Sequence, residues 1–298
     1  MAGGNILLCW FFDNSSLPTK ERLAMFTATF HSPLLHTTAF WWWIDFWKNM
    51  TVPYHFRESS LHLTARRRNE FCCLMRSAKP TSQPGEFVGK QLILRRTRRW
   101  AAVAGDTNPV HLTTPHPKFG TLIAHGWDAL TMAMAALKLD LPSGLIPKKV
   151  TAEFRKPMSL REHSTPMIRI LVPPEKPLER LIEVYVGMTL DLQPKLVIKV
   201  MVELAKGTLS DEDWLHAIIG GWRISALLAS TFPHCLYYQQ ILVFTPTSQE
   251  FTHIVTRVRG QGLNGSGHCV VDTRAQGRTS PNGHWSFATG QATIVLPQ

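Results

Sequence analysis

Five cysteines in 298 residues, an odd number, leave no even disulfide framework, and none of them shows the paired spacing that holds a structural metal. Cys72 and Cys73 are adjacent, while Cys9, Cys235 and Cys269 stand alone, so a reducing compartment is the simpler expectation. Long apolar runs are also lacking. The run from Phe40 to Ile44 is cut by Asp45 and Lys48, and the apolar start has neither a basic leader nor a small-residue cleavage site. No membrane span and no secretory signal are therefore expected. Acidic residues are outnumbered, 21 against 32 lysines and arginines, giving a formal charge of +11. Such an excess suits either a nucleic acid or a phosphate-bearing small ligand. The aromatic-glycine strand motif, the zinc finger and the heptad-backed basic helix are all missing, so nucleic acid ranks low. The two basic clusters, Arg66-Arg67-Arg68 and Arg95-Arg96-Thr97-Arg98-Arg99, read as solvated faces.

What the chain does have is apolar area: 44% hydrophobic residues support a full core without a metal or disulfide staple. Residues 1–84 carry scattered aromatics, including Trp41-Trp42-Trp43, with weak periodicity and no assignable function. They end in a Pro/Ser/Gly stretch, Lys79 to Gly85, that reads as a linker. Beyond it the pattern becomes regular. Residues 127–139 are rich in Ala, Leu and Met and predict a buried helix, and strand-like runs follow at 149–154, 167–172, 181–190 and 196–204. The order then repeats, with a helix over 214–230 and strands at 237–244, 252–259, 268–274 and 288–296. Ile123-Ala124-His125-Gly126-Trp127 aligns with Ile218-Ile219-Gly220-Gly221-Trp222, and Phe154 with Phe244, as if the copies shared a helix start and a strand end. A helix apolar on every face needs cover on every side, which a curling antiparallel sheet supplies. The expected class is α+β, with units over 85–206 and 207–298, each sheet wrapped around a central helix.

The segment Gly105-Asp106-Thr107-Asn108-Pro109-Val110-His111 sets a carboxylate and an imidazole five positions apart across a proline-stiffened turn. By spacing alone Asp106 and Asn108 would cap a turn, and His111 would be a satisfied core histidine. A second element shifts the balance. Gly126 opens the buried helix, and a helix start offers free N–H groups and a positive dipole end to a polarised carbonyl oxygen. His125 at that start reads as a supporting, hydrogen-bonding residue, and Arg155 and Lys156 as solvated strand-end charges.

Together, Gly105, Asp106, Asn108, Pro109 and His111, followed by Ile123-Ala124-His125-Gly126, resemble the motif pair of the MaoC-like family, which includes the (R)-specific type 2 enoyl-CoA hydratases and related acyl dehydratases. The resemblance covers residues 87–205 well and 210–298 as a degenerate second copy. It implies a double hot-dog fold and a lyase acting on 2-enoyl or 3-hydroxyacyl thioesters in fatty acid or polyketide metabolism. Asp106 and His111 would be the acid-base pair, and the Gly126 N–H would stabilise the enolate oxygen. Asn108, His125 and Trp127 would line or support the substrate site, with Trp127 narrowing the acyl pocket. The implied ligand is an acyl-CoA or acyl-carrier-protein thioester, with CoA or pantetheine as part of the substrate and neither metal nor redox cofactor. The second copy lacks the Asp-x-Asn-Pro-x-His segment, so one site per chain is expected. The alternatives are a hot-dog thioesterase and a catalytically inactive structural partner. A homodimer is compatible with this reading; the cytoplasm is the default location, with peroxisome and mitochondrion open.

Overall fold

The computed structural model describes residues 56–160, 165–187, 194–232, 236–245, 251–263, 269–280 and 283–295. The tryptophan triplet and the run from Phe40 to Ile44 lie outside the described residues. In chain order the elements are β1 (Phe56–His62), α1 (Ala65–Met75), β2 (Ala78–Pro80), β3 (Glu86–Gly89), α2 (Leu94–Ala104), α3 (Pro109–Leu112) and α4 (Gly126–Asp140), then β4 (Leu145–Phe154), β5 (Pro166–Leu171), β6 (Glu179–Val186), β7 (Lys195–Lys206), α5 (Asp211–Thr231), β8 (Leu236–Phe244), β9 (His253–Leu263), β10 (Cys269–Ser280) and β11 (Gly283–Val295). Among the described residues, eleven strands form one antiparallel sheet in the order β1-β9-β10-β11-β8-β4-β7-β6-β5-β3-β2.

The helices explain the curl. α4 buries Trp127, Leu130, Met132, Ala133, Ala136 and Leu137, which lie all round its axis, and α5 is buried almost without break from Asp213 to Ala229. Neither can rest on a flat surface, so the sheet bends around both. β5 and β6 show the matching period of two, with Ile168, Ile170, Ile182 and Val184 turned inward and their neighbours outward. This wrapping of an antiparallel sheet around a long buried helix is the hot-dog arrangement. α5 starts on a reciprocal cap in which Ser210 Oγ accepts from the Asp213 N–H at 3.0 Å and Asp213 Oδ2 accepts from the Ser210 N–H at 3.2 Å. Among the described residues no helix is long and apolar enough to cross a membrane.

The two helix-then-four-strands blocks meet at β4 and β8, which pair directly with Val150 opposite Leu242. Three sequence expectations need correction. First, Ile218 to Trp222 lies well inside α5, which begins at Asp211, so its alignment with the helix start at Gly126 fails. Gly220 and Gly221 serve packing instead, since a Cβ on either would strike Phe287 or Trp127. The partner alignment of Phe154 with Phe244 does fall on two strand ends. Second, Lys79 to Gly85 is no linker. It makes the β2–β3 hairpin turn, with Thr81 N–H bonded to Glu86 O at 2.9 Å and Gly85 left-handed at φ 71° against the backbone of Ile170. Third, the arginine runs are not uniformly solvated: Arg96 is half-buried and paired with buried Asp128, and Arg68 pairs with Glu212 and donates to Phe251 O. β1, from the segment without an assigned function, pairs with β9 at the far edge of the sheet.

Candidate active site

α2 leads into the candidate site. Arg96 donates to both oxygens of Asp128 on α4, Nε to Oδ2 at 2.8 Å and Nη2 to Oδ1 at 2.6 Å, and Trp100 Nε1 adds a bond to Oδ1 at 2.7 Å. The carboxylate is fully buried, so three donors hold α2 against the first turn of α4. α2 then stops at Gly105, left-handed at φ 72°, with the Asp106 N–H bonded back to Ala101 O at 2.9 Å. A side chain at 105 would also collide with the Arg223 guanidinium. The chain reverses here and drops Asp106 into the interior.

The two oxygens of Asp106 differ. Oδ1 accepts from the Asn108 N–H at 2.8 Å, the local turn that the sequence spacing favours. Oδ2 lies 3.2 Å from His125 Nδ1 in poor hydrogen-bond alignment, and has no hydrogen-bond partner among the described residues. Asn108 caps α3, its Oδ1 accepting from the Val110 N–H at 3.4 Å, with Pro109 at the first helical position. That one turn carries His111 back toward Asp106. It is stitched in place by Ile123 N–H to Val110 O at 3.0 Å and by His111 Nδ1 to Ile123 O at 2.8 Å.

A backbone carbonyl only accepts, so His111 Nδ1 carries the proton and Nε2 of the neutral ring keeps its lone pair. The His111 and His125 rings lie 3.9 Å apart between centroids, and the edge of Trp222 closes on His125 at 5.0 Å. One ligand atom from each of Asp106, His111 and His125 falls within 4.8 Å of the others, close enough to share a water or a divalent cation. His125 Nε2 is buried without a hydrogen-bond partner among the described residues.

Burial dominates the charge states. It pushes the Asp106 carboxyl above its ordinary 3.8, against the pull of His111, the Asn108 N–H and Arg223. It pushes His111 below 6.5, against the pull of Asp106 and the Ile123 carbonyl. His125 is driven well below 6.5 by burial and by its neighbour His111. Both imidazoles are therefore neutral near pH 7. Gly126 opens α4 with His125 as its N-cap; the Asp128 N–H turns back to His125 O at 3.0 Å, and the Gly126 and Trp127 N–H groups have no acceptor within the helix. The Phe154 ring leaves no room there for a side chain. Asp106 and His125 are almost wholly enclosed, whereas His111 and Gly126 are only half-buried, so the more open side of the cluster is theirs.

The structure thus brings Asp106, His111, His125 and Gly126 to one locality, with Asn108 supporting the loop and Trp127 enclosed behind the helix start. Arg96, Asp128 and Trp100 escaped the sequence reading. The available signal was an acidic residue in an otherwise apolar helix.

No protein-family model matches this chain, and no curated protein matches it. Solved structures do. The chain is similar to the tesB protein of Mycobacterium avium subspecies paratuberculosis, with a TM-score of 0.50 at 12% identity over 77% of this chain and 99% of that one. It is also similar to a protein of unknown function with a hot-dog fold from Alicyclobacillus acidocaldarius, with a TM-score of 0.47 at 11% identity over 79% and 99% of the two chains. The dehydratase domain of RzxB from Pseudomonas fluorescens gives a TM-score of 0.43 at 10% identity over 74% and 98%. The first likeness agrees with the sheet-wrapped helix described above, and at this identity it bears on the fold alone.

Proposed function

We propose that the chain is an acyl-thioester hydratase or dehydratase of the MaoC-like type, built as a double hot-dog with one active site. The catalytic unit would span 85–206, and 207–298 would be its degenerate companion. The observation that carries this reading is the Asp106 Oδ2 atom. It is buried, lacks a hydrogen-bond partner among the described residues, and shares one locality with a neutral imidazole and a helix start.

In this reading a water rests between Asp106 Oδ2 and His111 Nε2. An enoyl thioester enters with its carbonyl oxygen on the Gly126 N–H, which polarises the conjugated system. The water oxygen bonds to the β-carbon as one of its protons passes to His111 Nε2, and the electron pair of the double bond moves toward the carbonyl oxygen. His111 then returns that proton to the α-carbon on the same face, leaving the second water proton on the new hydroxyl. Asp106 orients the water and stabilises the transient imidazolium. Dehydration is the same path reversed, and no cofactor beyond the CoA or pantetheine of the substrate takes part.

The test is loss of the conjugated-thioester absorbance of crotonyl-CoA. Asp106→Asn and His111→Ala each lower kcat/KM by about 10²-fold or more while circular dichroism stays unchanged. Folded variants with the parent rate would contradict the assignment. Because the three side chains could share a cation, the assay is repeated after dialysis against a chelator. Unchanged activity is expected, and loss restored by a divalent metal would replace this mechanism with a metal-assisted one.

A further inference from the structure

Two tryptophans close the interior directly behind this site. Trp127 follows Gly126 and is 2% exposed; its Nε1 donates to Gln240 Oε1 on β8 at 2.8 Å. Its ring tip presses on α5 so closely that a Cβ on Gly221 would come within 1.8 Å of it. Trp222 is 0% exposed, stacks on Trp100 at 4.2 Å between centroids, and donates to Thr131 Oγ1 at 2.9 Å. Both indoles are held by a buried hydrogen bond, so swinging either aside would strand a polar partner. They fill the seam between α4 and α5 next to the helix start.

Further along the same seam lies a small, mostly apolar cavity lined by Met134 of α4, Trp214 and Ala217 of α5, and Phe244 and Phe287 of the sheet, with Asp213 and His216 of α5 at its wall. The helices run past one another so that Trp127 meets Gly221, Thr131 meets Trp222, and Met134 faces the cavity with Ala217. The indoles therefore stand between the candidate site and that cavity.

We propose that Trp127 and Trp222 set the acyl length, so that the site takes short thioesters of crotonyl size and keeps longer chains out of the α4–α5 seam. The proposal rests on the hydratase reading of the same site and names its substrate class. Shortening Trp127 would join the site to the cavity beyond and admit a longer chain.

The experiment measures the dissociation constants of butyryl-, octanoyl- and lauroyl-CoA by titration calorimetry. These saturated thioesters bind without being hydrated, so the result does not depend on turnover. A chain that entered an apolar tunnel would tighten binding about fourfold per methylene buried. Wild type is expected to bind octanoyl- and lauroyl-CoA no more tightly than butyryl-CoA, because the extra methylenes find no pocket. Trp127→Ala is expected to bind octanoyl-CoA about tenfold or more tighter than butyryl-CoA. Trp127→Leu carries the same comparison if the alanine variant does not fold. Progressive tightening with length in the wild type, an equally flat series in the folded variant, or no binding of any of the three overturns the proposal. If butyryl-CoA binds as expected but crotonyl-CoA is not hydrated, the hydratase reading fails while the length limit stands.

Discussion

At the scale of single residues, Asp106 shows why a motif and a turn signal can coincide. One oxygen answers the local backbone, and the other is buried without a hydrogen-bond partner among the described residues. The pH profile follows from the directions of the shifts. The working state has Asp106 ionised and His111 neutral; burial raises the first above 3.8 and lowers the second below 6.5. Hydration activity should therefore fall toward the acid side, as Asp106 and His111 take up protons, and not toward the alkaline side. A kcat/KM that falls instead as pH rises from neutrality would contradict it. Stability has its own dependence. His125 and His216 are both held below 6.5, His216 at about 4, by burial first and then by neighbouring His111 or Arg68. The unfolded chain takes up their protons below pH 6.5 and the folded chain does not. Their contribution is therefore complete above 6.5 and is lost as pH falls, by about 1.4 kcal/mol per pH unit for each. Asp106, raised when folded, acts in the opposite sense. The melting temperature should drop between pH 7 and 5, and His216→Phe, set against Phe251 and Phe287, should lessen the drop. An unchanged slope in that variant contradicts the assignment.

At the scale of elements, the candidate loop depends on how α2 is held. Arg96→Met leaves the buried Asp128 carboxylate without its ion-pair partner, at an expected cost of about 3–5 kcal/mol in denaturant unfolding, whereas the double variant Arg96→Met with Asp128→Leu recovers most of it. A single variant as stable as the parent would show that α2 is held by packing alone. α4, α5 and the eight strands that follow them were legible because a helix apolar on all faces and strands of period two leave plain traces. α2 was not: its first half is Leu-Arg-Arg-Thr-Arg-Arg, and what makes it a buried, site-forming helix is a pairing with Asp128, thirty-two positions away. β1 and the β2–β3 hairpin were missed for a similar reason, since their partners, β9 and β5, come much later in the chain. The site residues were readable because they sit in two short segments. Two of their neighbours come from α5, where Trp222 closes on His125 and the Arg223 charge pulls against the burial of Asp106, and no local spacing announces either.

At the scale of the whole molecule, a single sheet passes around two helices, and only the first helix start carries the Asp-x-Asn-Pro-x-His segment beside it. The second block contributes walls: Trp222 against His125, Gln240 against Trp127, and β8 against β4. A buried aspartate beside a helix start would also suit a thioesterase, which directs water at the carbonyl carbon instead of the β-carbon. Crotonyl-CoA separates the two outcomes in one cuvette, with conjugated absorbance and free thiol followed together. A fall in conjugation with no thiol released, abolished in Asp106→Asn, is the predicted result. Thiol released at unchanged conjugation, or neither signal moving with the folded protein, contradicts it.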